Sequence, residues 1–184
     1  MSRRIELANL SACFLLLLLA AGFVSQLHAQ DPNDPLTEDE VQQIRDNKTN
    51  PNERIQLYIR FIDGRLDAIK ALSGKGKSEN EKAEVRARLE EFTHLCDELQ
   101  DNLDTYDEAH ADIRKSLKEL IAATAKWPEA LNAAGTDPSY DFSHKTAIEA
   151  AQSATDEARQ MSISQDVYFD VHKKQRNGNG NGPS

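Results

Sequence analysis

The sequence predicts an all-α fold, an antiparallel bundle of three long helices with a short helix before them. Three observations predict it. Apolar residues recur at alternating spacings of four and three over long stretches, the period of a helix face packed on other helices. Ser, Thr or Asn stands three residues before Glu at three separate places, the spacing of a capping box. No stretch after Gln30 alternates apolar and polar residues for long, and Asn-Gly pairs occur only in the C-terminal tail.

Each element has its own justification. Thr37-Glu38-Asp39-Glu40 opens a short helix through about Asn47, with Val41 and Ile44 as its apolar side. Asn50-Pro51-Asn52-Glu53 starts the next: Asn50 caps, Pro51 takes the first helical position and Glu53 completes the box. Ile55, Ile59, Ile62, Leu66 and Ile69 carry that helix to about Leu72. Ser73-Gly74-Lys75-Gly76-Lys77 breaks it, and Ser78-Glu79-Asn80-Glu81 is a third box.

A seam then runs through Val85, Leu89, Phe92, Cys96, Leu99, Leu103, Tyr106, His110, Ile113, Leu117, Leu120, Thr124 and Trp127. No Gly or Pro interrupts it before Pro128, so it predicts one long helix of roughly 70–75 Å at 1.5 Å per residue. Asp101-Asn102-Leu103-Asp104-Thr105 is poor in helix formers. A turn near Asp101 would convert the three-helix bundle into a four-helix bundle. Pro128 to Pro138 is a connector. The last helix runs from about Tyr140 to Gln175 on a seam of Ala147, Ala151, Ala154, Ala158, Met161, Gln165 and Tyr168. Alanines there let two helix axes approach closely.

The N-terminus reads as an address. Arg3 and Arg4 precede an uncharged apolar run, Phe14 to Val24, and a short polar exit ends at Ala29. That is the layout of a secretory signal peptide, and the run is too short to span a bilayer as a helix. Leu10-Ser11-Ala12-Cys13 has the letters of a lipoprotein box, but the cysteine precedes the apolar run instead of following it. Cleavage between Ala29 and Gln30 is the favoured reading; lipidation at Cys13 and an uncleaved anchor are the alternatives. The expected organisation is therefore a signal peptide (1–29), a linker (30–36), one helical domain (37–176) and a disordered tail (177–184). The expected location is periplasmic or extracellular, in a bacterial envelope, with no membrane span after cleavage.

Composition limits the partners. The formal net charge is −9 at pH 7, which repels nucleic acid and anionic lipid alike. After leader removal only Cys96 remains as a thiol, so the domain holds itself by packing and not by a disulfide.

Candidate chemistry is thin. Ala71 to Ser78, ALSGKGKS, fits the loose phosphate-loop pattern, but a helix precedes it where that loop needs a strand. Glu91/His94 and Asp107/His110 both have the carboxylate–histidine spacing of di-iron bundles. The phase separates them, His94 pointing outward while His110 lies on the seam, so no metal site is expected. Cys96 reads as a small buried residue. Asp97, Glu98, Asp101, Asp104, Asp107, Glu108 and Asp112 read as a solvated face, with Ca²⁺ or a cationic partner as the alternative. His144 and His172 lie at the two ends of the last helix, and Asn47-Lys48-Thr49 has the form of a glycosylation sequon. No catalytic or cofactor-binding residue is expected. Leu57 and Phe61 form a second stripe on helix 50–72, covered either by the short helix or by a partner or second copy of the chain.

Leu36-Thr37-Glu38-Asp39-Glu40-Val41-Gln42-Gln43-Ile44 resembles the LTxxQ signature of small helical periplasmic stress chaperones and their metal-responsive relatives. The resemblance covers this short helix alone, and Glu40 stands where that signature has Gln. It implies a chaperone or metal-responsive binding role. The residues themselves point instead to an exported, non-enzymatic bundle that acts by protein contact.

Overall fold

The computed structural model describes residues 34–178 apart from Lys75, with side chains as far as Lys173. The expected leader, the start of the linker and the end of the tail lie outside the described residues. Six helices follow in order: α1 (Glu38–Asp46), α2 (Pro51–Ala71), α3 (Glu79–Glu108), α4 (Arg114–Thr124), α5 (Trp127–Asn132) and α6 (Asp141–Gly178). The fold is all-α, with no strand among the described residues.

The three helix starts are where the capping residues put them. Thr37 and Glu40 close a reciprocal box, as do Ser78 and Glu81. Asn50 caps α2 through Glu53 N–H at 3.3 Å, with Pro51 at the first position. Its box stays open, because the Asn50 N–H donates to Asn47 O instead.

Side-chain pairs give the helix directions. Tyr58 meets Glu98 and Arg65 meets Glu91, so α2 and α3 are antiparallel. Asn52 meets Ser116 and Asp63 meets Trp127, so α4 and α5 run with α2. Glu90 meets Ser143, Gln100 meets Ser153 and Asp107 meets Gln165, so α6 runs with α3. The packed neighbours are α2 with α3, α3 with α6, α6 with α4, and α4 with α2. This is a closed four-helix ring in which α4 and α5 share the third position. Ile55, Ile62, Leu89, Phe92, Leu99, Leu103, Leu117, Leu120 and Trp127 are fully buried at its centre. Ala147, Ala151, Ala154 and Ala158 are the buried face of α6.

The long helix 78–127 is thus broken, but not near Asp101. That stretch lies well inside α3. Asn102 Nδ2 donates to Glu98 O at 2.6 Å and Thr105 Oγ1 to Asp101 O at 2.9 Å, so its polar side chains satisfy themselves on their own helix while Leu103 is buried. Tertiary burial overrides weak local propensity. The break falls at residues 109–113. There Ala111 N–H reaches Tyr106 O and His110 N–H reaches Asp107 O, the paired bonds of a Schellman ending. His110 holds the left-handed position that such an ending usually gives to Gly, at φ 52°.

The other correction concerns Leu57 and Phe61, which are only 3% and 6% exposed within the single chain. Helix α1 packs on α2, and Leu36, Val41 and Ile44 join the same core cluster. The second stripe of α2 therefore faces this chain's own N-terminal segment and offers no surface to a partner. Leu36, placed by the sequence in the linker, is itself buried.

Arg65 fastens that segment. Its guanidinium forks onto Glu40, with Nη1 to Oε1 at 2.5 Å and Nη2 to Oε2 at 2.7 Å. Nε donates to Glu91 Oε2 at 2.9 Å, and Nη2 also to Pro35 O at 2.6 Å. Only 12% of the Arg65 and Glu40 side chains remains exposed. Burial pushes the Glu40 carboxyl up, but hydrogen bonds from Arg65 and Thr37 and the charge of Arg65 outweigh it and hold the carboxyl below its usual range.

Two predictions follow from this packing. Leu103→Ala and Leu117→Ala remove fully buried side chains and are expected to cost ~2–5 kcal/mol each in chemical denaturation. Glu119→Ala is expected to stay within about 0.5 kcal/mol, since Glu119 is exposed and loses only a surface bond to Gln56 and a loose surface ion pair with Lys115. Similar small effects at all three positions would contradict the bundle.

Arg65→Ala strands the part-buried Glu40 carboxylate, leaves Glu91 to Arg88 alone, and is expected to cost about 3 kcal/mol. A carboxyl with a depressed folded pKa contributes stability above its unfolded value of ~4.3 and loses it as pH falls through the folded value. Denaturation as a function of pH should therefore show wild type losing its advantage over Glu40→Gln below about pH 4.3. A pH-independent difference would exclude the ionised pair.

Candidate functional site

The break at residues 109–113 brings chemistry to one end of the bundle. Positive φ turns His110 out of the α3 seam, where the sequence placed it, and leaves it exposed. Its imidazole stacks on Tyr168 of α6, with ring centroids 4.6 Å apart. His172, one turn further along α6, leans on the same phenol at 4.1 Å and donates Nδ1–H to Tyr168 O. Phe169 meets Tyr168 edge-on at 5.0 Å and carries the Arg114 guanidinium 4.7 Å from its ring centre. Between these groups lies a small cleft of ≈ 200 Å³ lined by Asp107, His110, Ser164, Gln165, Tyr168 and Phe169.

Gln165 is the floor of the cleft and is buried. Its Oε1 accepts from Ile113 N–H at 3.2 Å, and its Nε2 donates to Ala111 O at 3.0 Å and Asp107 Oδ1 at 3.2 Å. One amide satisfies main-chain groups that helical hydrogen bonding leaves open at the turn.

Beyond this point α6 outruns its neighbours. Asp107, at the end of α3, is level with Gln165, and Arg114, at the start of α4, reaches Asp166 and Phe169. From Asp170 to Gly178 the helix continues for ~13 Å past them, at 1.5 Å per residue. On its outward side Ile163, Val167 and Val171 stand four apart and are 62%, 61% and 45% exposed. Scattered exposed apolar residues such as Phe142 need no explanation, but three in one row make a continuous surface.

The opposite end holds a larger, open cleft of ≈ 700 Å³ between the α2–α3 and α5–α6 turns. ALSGKGKS lies here, without the strand a phosphate loop follows. Lys77, which would have to reach a phosphate, donates instead to Ala134 O at 2.8 Å and Tyr140 Oη at 3.3 Å. It is a tie between two turns.

The remaining sequence candidates do not converge. His94 is exposed on α3, and the Glu91 carboxylate is engaged by Arg65 and Arg88. No group of three metal-ligating side chains occurs among the described residues. Cys96 is buried in the core, and that burial pushes its thiol up, away from the reactive thiolate. His144 is buried and donates to Leu131 O at 3.0 Å, joining α5 to α6. Within the acidic stretch Glu98 accepts from Tyr58 Oη at 3.1 Å; burial and the Glu98 charge push that phenol up to about 12. Burial likewise raises Asp97 and Glu98, while Asp112 is held down by Arg114.

The outward row Ile163, Val167 and Val171 lies off the alanine seam that defines α6 in the sequence. The signal was present, as apolar residues at i, i+4 and i+8 on the side of α6 away from its alanines. No helix among the described residues is long and apolar enough to cross a membrane. Comparison with protein families, with curated proteins and with solved structures finds no match.

The turn makes a prediction at His110. Ala keeps the unfavourable φ and loses the stack on Tyr168, whereas Gly loses the stack but removes the strain. His110→Ala is expected to be about 1 kcal/mol less stable than His110→Gly. Denaturation giving the reverse order would contradict the left-handed ending.

Proposed function

We propose that the chain is an exported, non-enzymatic helical bundle that acts by protein contact through the outward face of α6. The single observation that carries this reading is the row Ile163, Val167 and Val171, exposed along a helix that outruns the bundle. A solvated helix of a finished fold places polar residues on that side. Contiguous apolar surface on an otherwise acidic protein favours a contact that keeps water off it. The polar groups beside it serve the fold. Gln165 closes the turn, and the imidazole of His172 bonds a main-chain carbonyl. The leader-like segment before Gln30 supports a contact outside the cytoplasm, in the periplasm or the medium.

A photo-crosslinking residue tests the reading in the cell of origin. At Val167 it is expected to yield a discrete protein adduct. At Glu129, exposed on α5, it is expected to yield none. No adduct at Val167, or equal adducts at both positions, would refute it.

A further inference from the structure

We infer that the outward face of α6 pairs with the same face of a second copy, in antiparallel orientation, about a two-fold axis level with Gln165. The inference rests on the contact reading above and names its partner.

Charge chooses both the partner and the direction. On the exposed face the apolar row is flanked on one side by Asp156 and Arg159 and on the other by Asp170 and Lys173, all exposed. Two copies laid parallel set each of these charges beside its own duplicate. Laid antiparallel about Gln165, residue i faces 330 − i. Ile163 then packs on Val167 of the other copy, Val167 on its Ile163, and Val171 against the methylene stem of its Arg159. Arg159 comes beside Asp170 across the axis, and Asp156 comes into the turn that holds Lys173. Like charges directly opposed destabilise a helix pair, and opposite ones set its orientation. One surface complementary to itself is what a two-fold dimer requires.

The overhang has a use in this arrangement. Beyond Asp170, whose charge still acts on Arg114, α6 runs past the end of α3 and the start of α4. In the pair that stretch lies along residues 152–160 of the other copy, whose outward side is also unoccupied. The bundles themselves stand on opposite sides of the helix pair. A contact confined to a few turns of one helix belongs to the weak, reversible class of interfaces.

Sedimentation of the purified protein, expressed from its full sequence, measures the association from micromolar to millimolar concentration. Wild type is expected to pass reversibly from monomer to dimer. Val167→Glu and Arg159→Glu are each expected to weaken the dimer at least tenfold, with unchanged helical circular dichroism because both positions are exposed. The double reversal Arg159→Glu with Asp170→Arg restores opposite charges only in the antiparallel pair and is expected to recover most of the affinity. A wild type that stays monomeric throughout would overturn the inference, as would a dimer indifferent to Val167→Glu. Failure of the double reversal to rescue would overturn the antiparallel pairing. A monomer whose Val167 crosslinks to a different protein in the cell defeats the homodimer alone. A monomer without any Val167 adduct defeats the contact reading as well.

Discussion

The turn at residues 109–113 is the constraint on which the rest of the architecture depends. Helices α3 and α4 do not pack on each other, so these five residues carry the chain diagonally across one end of the bundle. A crossing of that kind sends main-chain groups over buried surface, where unpaired N–H and C=O groups are expensive. The structure meets the demand twice. The Schellman bonds close the end of α3 from within, and the Gln165 amide supplies partners from α6. Fixing Gln165 against the turn also sets the height of α6 relative to α3, and so decides how much of α6 extends beyond its neighbours.

At the N-terminal side the same economy is achieved with charge. Glu40 completes the cap of α1 and holds the Arg65 guanidinium, so one carboxylate starts a helix and docks it. Gln at that position, as in the signature that residues 36–44 resemble, could keep the cap but not the charge pairing. The departure from that signature therefore has a local physical reason. Arg65 then reaches Glu91 and ties three helices together. At the other end of the bundle Lys77 does comparable work with neutral acceptors, holding the α2–α3 turn to the α5–α6 turn.

Most of the fold is legible in the sequence, because capping chemistry and apolar period are local signals. Thr37, Asn50 and Ser78 locate three helix starts, and the seam residues from Val85 to Trp127 are buried with the exception of His110. The break escapes the same reading for a specific reason. Its left-handed residue is His and not Gly, and the spacing from Tyr106 through His110 to Ile113 stays in phase across the gap. A seam of fours and threes records burial; it does not record that one helix carries it. Leu57 and Phe61 mislead differently. Leu36, which joins the same core cluster, lies upstream of any helical pattern, so periodicity does not reveal it. The row on α6 could have been read, but attention to the alanine seam hides an apolar row on the opposite side.

Cys96 gives the buried core a chemical meaning. It sits on α3 at zero exposure, and its thiol is held in the protonated form by its surroundings. Oxidants and exchange partners act on thiolates they can touch. The folded bundle therefore keeps the Cys96 thiol away from small-molecule disulfides and from the thiols of neighbouring molecules. The thiol becomes available only when the bundle opens, and at that moment it can capture another open chain. Resistance to covalent cross-linking is here a by-product of tight packing, and it lasts as long as the native state does.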